Sequence, residues 1–550
     1  MSASEQDRVQ AIYDEFAKSY DDHYASAEFQ EEDLALFKIL SPWIRGKVLD
    51  LGCGTGLTLT YNELSKDNYL GVDPSAGMLE KFQAKFPGFA TVSSTFEQWN
   101  ETDKGYTYET ILGLFGAPAY FAKESYAEVL ERLSPKGHYF LMFYKPGYFP
   151  AHIYTDEDKI DNNGNHYDVF KKPSFDPLRL AGQNYCCHLS VFRSTLLDQI
   201  GGFRAGFEGS QDYDLILRAT EKARTVAHIP RVLYHWRAIP GSAATQLDAK
   251  PYALDAALRA VRAHLDRTGS ASEVAQLPSG YVAVKPQRTT QPKVSIVIPT
   301  RGDAKRVWGT HTCLVENAVE GIIRHTTYSN FEIVVVHDYK DGQPVFPINL
   351  GADPRITTVP YQAPFNFSDK CNVGVKHSTG DVIVLLNDDI QIIDGDWLDV
   401  FVAMLEYPGV GMVGPMLLLE DGRIQSAGHT NIPTPHNLGT GLSSNNPGSF
   451  GMFALTRRVS GVTAACAAIP RSIYEELGGF SIDFPACFND LDFCYKLTES
   501  GRHIVWTPLV RLYHFESLTR DPTVQPHEMQ MLERRWKRMF GKEDYTRQSA

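Results

Sequence analysis

Gly380-Asp381-Val382-Ile383-Val384-Leu385-Leu386-Asn387-Asp388-Asp389 is a short apolar run that stops abruptly at three polar residues. A run of this length, rich in β-branched side chains, reads as a strand buried on both faces. Two more precede it, Val294-Ser295-Ile296-Val297-Ile298-Pro299-Thr300-Arg301 and Phe331-Glu332-Ile333-Val334-Val335-Val336. Helical stretches separate the three, so together they predict a parallel α/β sheet. Such sheets bind ligands at the carboxyl ends of their strands. Asn387, Asp388 and Asp389 stand at that edge.

Downstream lies the second copy of an internal repeat. Ser460-Gly461-Val462-Thr463-Ala464-Ala465-Cys466, Gly478-Gly479-Phe480, Asn489-Asp490-Leu491-Asp492 and Leu512-Tyr513-His514 have earlier counterparts. These are Asn184-Tyr185-Cys186-Cys187, Gly201-Gly202-Phe203, Gln211-Asp212-Tyr213-Asp214 and Leu233-Tyr234-His235. The spacing from acid to histidine is 23 positions from Asp212 to His235 and 24 from Asp490 to His514. Repetition of this kind marks a reused folding unit. Only the second copy is preceded by the three strand patterns.

The polar strand end predicts cation chemistry. Asp389, beside Asn387 and Asp388, suits a hard divalent ion such as Mg2+ or Mn2+, which takes oxygen ligands and bridges phosphates. His514 could complete that site. Asp490 would then be free to act as a general base on an acceptor hydroxyl while the metal stabilises a departing diphosphate. Asn-Asp-Asp can also be a polar cap on a strand or helix, but its place between a buried strand and a repeated Asp…His unit favours the chemical reading.

With these residues in hand, positions from about 290 to 545 resemble an inverting glycosyltransferase of family 2 with the GT-A fold. The likeness runs through Val294 to Arg301, Pro364-Phe365-Asn366-Phe367-Ser368 with Asn372, the motif ending at Asp389, and Asp396-Trp397-Leu398. It continues in Gly411-Met412-Val413-Gly414, Ile424-Gln425-Ser426-Ala427-Gly428, Asn489 to Asp492 and Leu512 to His514. The resemblance implies that Thr300, Arg301, Asn372, Asn387 and Asp388 line the nucleotide-sugar, that Asp389 and His514 hold the metal and that Asp490 is the base. The second strand of the family usually ends in an aspartate that contacts the nucleotide base, whereas here Val336 is followed by His337 and then Asp338. Either Asp338 takes that role by a one-residue shift or the base contact differs. The donor implied is a nucleotide-sugar, dTDP-rhamnose or a UDP-hexose, and the acceptor a glycan or lipid-linked glycan.

The first copy, residues 151–268, is similar only to the acceptor-side half of that fold. Tyr154-Thr155-Asp156-Glu157-Asp158-Lys159-Ile160-Asp161, Gly209 to Asp214 and Tyr234-His235-Trp236 carry the likeness. With no nucleotide-binding half before it, Asp212 has no donor to serve, and a structural or acceptor-positioning role is expected.

Residues 1–150 carry a different signature. Lys47-Val48-Leu49-Asp50-Leu51-Gly52-Cys53-Gly54-Thr55-Gly56 is a buried strand entering a glycine-rich turn, where missing Cβ atoms let a ligand approach the backbone. Asp73 ends the next run, Tyr69-Leu70-Gly71-Val72, as a carboxylate gripping ribose hydroxyls would. With Tyr13 to Asp21 as a lid-like helix, the block resembles class I S-adenosylmethionine-dependent methyltransferases. The resemblance implies that Asp50, Gly52, Cys53 and Gly54 line the methionine end, that Asp73, followed by Pro74, holds the ribose, and that Phe96 and Leu114 flank the adenine or substrate. Gly-x-Gly-x-Gly argues against the Gly-x-Gly-x-x-Gly of dinucleotide sites. After the fifth strand, Gly137 to Tyr144, the usual last helix and strands of such a domain are not expected. The junction near Tyr148 to His152 reads as if a longer methyltransferase–glycosyltransferase–glycosyltransferase chain had lost an internal segment.

Composition frames these readings. A chain of 550 residues, 43% apolar, predicts about three domains. A formal charge of −13 speaks against nucleic-acid binding. Eight cysteines without paired metal spacing suit a reducing cytoplasm. No apolar stretch approaches a membrane span and Met1 to Arg8 is no signal peptide, so the expected location is cytoplasmic, at most at the inner face of the membrane. Residues 269–292 read as a Pro-containing linker before a complete domain at 293–545. The tail His527 to Phe540 reads as a basic amphipathic helix that packs on its own domain or touches an anionic membrane. The expectation is an enzyme; the alternative is a scaffold or glycan-binding remnant.

Overall fold

Each strand pattern at 294–301, 331–336 and 380–389 forms a buried strand, because every one lies in the middle of a sheet covered on both faces. The computed structural model describes residues 3–545 except 26, 104, 116, 118–120, 122–124, 143–149, 239–250, 346–348, 516–523, 525 and 543–544. Phe143 and Tyr144 of the expected fifth strand, and most of the expected junction at 148–152, lie outside the described residues. The chain divides into two compact units, Met1–Phe149 and Pro150–Ala550.

In the first unit, strands β1 (Val48–Leu51), β2 (Tyr69–Asp73), β3 (Ala90–Ser93), β4 (Tyr108–Gly113) and β5 (Leu133–Leu141) form a wholly parallel sheet in the order β3-β2-β1-β4-β5. All four residues of β1 are buried. Val48 packs with Phe37, Leu59 and Phe82 on one face, while Leu49 and Leu51 pack with Val72, Phe96 and Trp99 on the other. This is a Rossmann-like arrangement, and it sets the ends of β1 and β2 side by side.

The second unit holds both repeat copies. The first copy contributes β6 (His152–Ile160), β7 (His166–Phe170), β8 (Ser190–Phe192) and β9 (Val226–Arg237). Strand β6 pairs parallel with β9 and antiparallel with β7 and β8. Residues 269–292, expected as a linker, instead form a hairpin of β10 (Ser272–Gln276) and β11 (Val282–Pro286). Val282 is buried in the first copy's core with Tyr154, Tyr185 and Tyr213, and Val261 of helix Pro251–Thr268 joins it.

The complete copy begins with β12 (Val294–Thr300), followed by the small hairpin β13 (Ala304–Val307) and β14 (Thr310–Cys313). Its sheet then takes in β15 (Phe331–Lys340), β16 (Gln343–Pro344), β17 (Ile356–Tyr361), β18 (Val382–Leu386) and β19 (Ile390–Ile392). The later strands are β20 (Val410–Leu418), β21 (Ile424–Ser426), β22 (His429–Thr430), β23 (His436–Asn437), β24 (Arg457–Val459), β25 (Cys466–Pro470) and β26 (His503–His514). The main order is β16-β15-β12-β18-β25-β20-β26-β19. Strands β15, β12 and β18 are parallel, whereas β25 inserts antiparallel between β18 and β20. A parallel nucleotide half joined to a mixed acceptor half is the GT-A type of α/β architecture.

The sequence repeat is also a repeat of pairing. Parallel β20 with β26, antiparallel β25 and antiparallel β21 match parallel β6 with β9, antiparallel β8 and antiparallel β7. Among the described residues the first copy has no equivalent of β12, β15 and β18. It is instead fastened to the complete copy. Asp176 accepts from Arg458 N at 2.7 Å, Arg179 donates to Phe450 O at 3.0 Å, and the Phe170 and Phe450 rings stack at 4.0 Å.

Helix Pro526–Trp536 packs on its own domain. Leu532 and Trp536 are buried with Phe484, Leu491 and Tyr495, and Trp536 Nε1 donates to Asp492 at 2.8 Å. Arg535 and Arg538 are paired with Asp483 and Glu499. Much of the helix's basic character is therefore neutralised within the domain.

Candidate active site

The carboxyl ends of β12, β15 and β18 bring Thr300, Asp338 and Asp388 together. Thr300 Oγ1 donates to Asp388 Oδ2 at 2.6 Å. Lys370, buried on helix Phe367–Lys376, donates to Thr300 O at 2.8 Å and pairs with Asp338. The structure thus places Asp338, one residue beyond the usual position, at the strand edge beside Thr300. Arg301 is half exposed and 3.7 Å from the Asp303 carboxylate. Burial and the adjacent Asp389 carboxylate push the Asp388 carboxyl up to about 7. Two neighbouring buried carboxylates repel, and a cation relieves the cost.

Beyond β18 the chain turns into β19, whose antiparallel pairing sets Ile390 opposite His514. His514 Nε2 consequently lies 3.1 Å from Asp389 Oδ1. Its Nδ1 is 2.5 Å from Gln425 Oε1, and Asn387 Nδ2 is 3.2 Å from Nε2. Both contacts fit one tautomer, with the proton on Nδ1 donated to Gln425 and a lone pair on Nε2. Asn387 Oδ1 is buried without a hydrogen-bond partner. An aspartate oxygen, an imidazole lone pair and an unsatisfied amide oxygen form a donor set that fits Mg2+ or Mn2+. Since Gln425 orients the imidazole, Gln425→Ala should weaken Mn2+ binding by about 10–100-fold, the usual cost of removing a ligand's support, as read by calorimetry of the folded variant.

Asp490 opens helix Asn489–Glu499, half buried, with Oδ2 accepting from Ala464 N at 3.4 Å. Ala465 O in turn accepts from Asn387 N at 2.9 Å. A short stretch of chain therefore links Asp490 to the end of β18. His429 is buried, its imidazole held below the usual range by burial and opposed by the Asp490 charge. The next carboxylate, Asp492, faces the other way, holding Trp536 and Arg535.

Asn372 does not join this cluster. Its Oδ1 accepts from Tyr474 OH at 2.7 Å and Phe480 N at 3.0 Å, and its Nδ2 donates to Phe480 O at 2.9 Å. The amide is consumed in fixing the Gly479-Phe480 turn. Lys370 and Gln425 had escaped assignment: one is a lysine on a buried helix face, the other an amide inside a motif of small residues.

In the first copy, Asp212 Oδ2 accepts from Asn184 Nδ2 at 3.0 Å and Oδ1 from Tyr213 N at 2.9 Å. His235 pairs with Asp158 rather than with any strand-end motif.

In the first unit the glycine turn follows β1 with Gly52 and Gly54 at φ of 76° and 52°. A Cβ on Gly54 would meet nothing within 4 Å, so the loop faces open space there. Asp73 Oδ2 accepts from Gly54 N and Oδ1 from Ser75 N, each at 2.9 Å. Each oxygen keeps a lone pair for a hydroxyl. Pro74 is half buried between them. Asp50 accepts from Tyr69 OH at 2.8 Å, and burial pushes its carboxyl up to about 6. The N-terminal helix Ala3–Phe16 reaches this edge through Asp14, which accepts from Ser75 Oγ at 2.6 Å and Gly77 N at 3.0 Å. Asp21 accepts from Thr55 Oγ1 at 2.7 Å. The Cys53 side chain is buried against Gly71, so only its backbone can serve the loop. Phe96 and Leu114 lie in different core clusters, on opposite faces of the sheet.

Residues 295–478 match the family model of glycosyl transferase family 2, and residues 48–137 match that of a methyltransferase domain. The chain carries a family 2 glycosyltransferase domain and a methyltransferase domain. It is 40% identical over 404 residues to uncharacterized protein y4gI of Sinorhizobium fredii (strain NBRC 101917 / NGR234), covering 70% of this chain and 43% of that protein. It is 33% identical over 384 residues to O-antigen biosynthesis protein RfbC of Myxococcus xanthus, covering 68% of this chain and 29% of that one. The chain spans less than half the length of these curated relatives. Among solved structures, the mannosyltransferase PcManGT of Pyrobaculum calidifontis with GDP-Man and Mn2+ gives a TM-score of 0.31 at 20% identity, covering 42% of this chain and 60% of that one. GalNAc-T7 with UDP, GalNAc and Mn2+ gives 0.33 at 14% identity, with coverages of 44% and 48%.

Proposed function

We propose that the glycosyltransferase domain moves a sugar, a hexose or rhamnose, from a nucleotide-sugar to a growing surface polysaccharide or its lipid-linked precursor, with inversion at the anomeric carbon. The observation that carries this reading is the convergence of Asp389, Asn387 and His514 at the end of β18, with Asp490 reached through Ala464 and Ala465. Asp389 and His514 would hold Mg2+ or Mn2+, which supplies charge neutralisation at the leaving diphosphate. Thr300, Asp338 and Lys370 line the strand edge where the nucleotide would lie. Asp490 takes the proton of the acceptor hydroxyl as its oxygen attacks opposite the leaving group, and a single displacement inverts the configuration. The likeness to RfbC, named as an O-antigen biosynthesis protein, supports a polysaccharide acceptor. The test is release of nucleoside diphosphate by the purified chain with Mn2+ from dTDP-rhamnose and a panel of UDP-hexoses. If no donor is turned over with or without acceptor glycan, the remnant alternative stands.

The first copy is read as a buttress, because Asp176, Arg179 and Phe170 fix it against 450–458 of the complete copy. No described helix is long and apolar enough to cross a membrane. All eight cysteines are free thiols, in keeping with a cytoplasmic setting.

The methyltransferase domain is proposed to bind S-adenosylmethionine at the ends of β1 and β2. Asp73→Asn keeps the loop contact to size but removes the charge on the ribose, so affinity should fall by the ~1.5–3 kcal/mol of a charge-assisted hydrogen bond. Calorimetry with the cofactor and with its demethylated product reads this out. Absence of binding by the unaltered chain at millimolar ligand would make the domain structural.

A further inference from the structure

The first repeat copy carries a histidine-carboxylate cluster that the proposed transfer reaction does not use. Asp158 on β6 stands directly beside His235 of β9 in the parallel register. His166 of β7 pairs with Ile160, two residues along β6 and on the same face as Asp158. His235 Nδ1 lies 2.6 Å from Asp158 Oδ1 and His166 Nδ1 2.9 Å from Oδ2, with the two rings edge-on at 4.5 Å. All three ligand atoms fall within 4.8 Å of one another. The carboxylate side chain is 8% exposed, whereas the imidazoles are 47% and 50% exposed.

We propose that Asp158, His166 and His235 form a second metal site, for a borderline divalent transition ion such as Zn2+. Two imidazoles and one carboxylate suit such ions, whereas Mg2+ takes sets in which oxygen predominates. Ligand atoms on a tetrahedral Zn2+ with bonds of about 2.0 Å lie about 3.3 Å apart, so the two hydrogen-bonded pairs need open only slightly. Ligation through Nδ1 leaves each neutral imidazole with its proton on Nε2, and acid weakens binding because a proton then competes with the ion for Nδ1. The exposed side leaves a coordination position for water.

Two comparisons within the molecule support the assignment. In the complete copy Tyr513 pairs with Leu418 and the next residue along that strand is Leu419, whereas in the first copy Tyr234 pairs with Glu157 and His235 with Asp158. The carboxylate is thus a feature of the first copy. The neighbouring group Glu157, Cys187 and His188 already holds a cation, the buried Lys172 ammonium 3.0 Å from Glu157. An ion at Asp158 would clip the β6-β7 hairpin to β9 in the half of the repeat that lacks a nucleotide-binding sheet among the described residues.

The test is Zn2+ titration of the metal-stripped full chain against a chromophoric chelator at pH 7.5, for the unaltered protein and for Asp389→Ala. One tight equivalent is expected in both, lost in His166→Ala and in His235→Ala made in either background, and weakened several-fold or more at pH 5.5. Both histidines are half exposed, so circular dichroism should show unchanged folds, and His235→Gln serves as the milder second variant. Zn2+ uptake that survives both histidine substitutions in the Asp389→Ala background, or that disappears with Asp389→Ala alone, would overturn the assignment, as would no uptake by the unaltered chain.

Discussion

Asp389→Ala should abolish sugar transfer and metal-dependent nucleotide binding while the domain stays folded. The carboxylate is buried beside His514 at the end of β18, where a cation would meet the donor diphosphate. Charge stabilisation by a metal is worth several kcal/mol in the transition state, so a loss of at least about 10³-fold is expected. The fold should survive for an electrostatic reason. Asp388 is held up to about 7 partly by the charge of Asp389, and removing that charge relieves a repulsion that the metal-free protein otherwise bears. Without Asp389 the Asp388 carboxyl should fall, while its burial, the larger cause, still holds it above its ordinary range, and metal-free thermal stability at neutral pH should hold or rise. Calorimetry with nucleoside diphosphate, with and without Mn2+, checks the binding half. An affinity that depends on Mn2+ equally in both proteins would sink the metal assignment.

The sheet and its acidic strand end were legible because burial on both faces leaves a strand almost no polar residues. In Val382 to Leu386 the pattern stops where the strand stops, and the first polar residues beyond it are the ones proposed for the chemistry. The repeat was legible because Asp, His and the paired glycines occupy fixed places in one pairing scheme. Residues 269–292 misled for the opposite reason. Glu273 and Lys285 face each other across an exposed two-stranded hairpin, and Pro286 ends it, so hydropathy there resembles a loop. Val282 and Val284 alternate as a half-buried strand does, and that was the signal available.

Side-chain roles were harder to read than strands. Asn372 sits within a family-like stretch, yet its amide is spent on the turn at Phe480. Lys370 lies on the buried face of its helix with Ser368 and Cys371, and its ammonium joins Thr300 O to Asp338. A buried lysine needs a carboxylate partner, and only the fold reveals which one. Phe96 and Leu114 belong to opposite faces of the first unit's sheet, a separation that no spacing along the chain encodes.

The two repeat copies give the sharpest test of which half is chemical. Asp490→Asn keeps the size of the side chain and its contact with Ala464 N but removes the proton acceptor. Transfer should fall by the ~10²–10⁴-fold typical of general-base loss, with donor affinity unchanged, since Asp490 contacts neither Asp389 nor Thr300 in the arrangement described. Asp212 has the same place at the start of its helix, but Asn184 and Tyr213 N occupy its oxygens, and no metal-bearing strand precedes it among the described residues. Asp212→Asn should therefore leave the rate within about 2-fold, because an amide can keep the Tyr213 N contact and changes at a helix start typically cost about 1 kcal/mol of stability. Rates for both variants, measured at saturating donor, decide the matter. Equal damage from the two substitutions would mean that the first copy belongs to a working site, one whose nucleotide half is supplied by another chain.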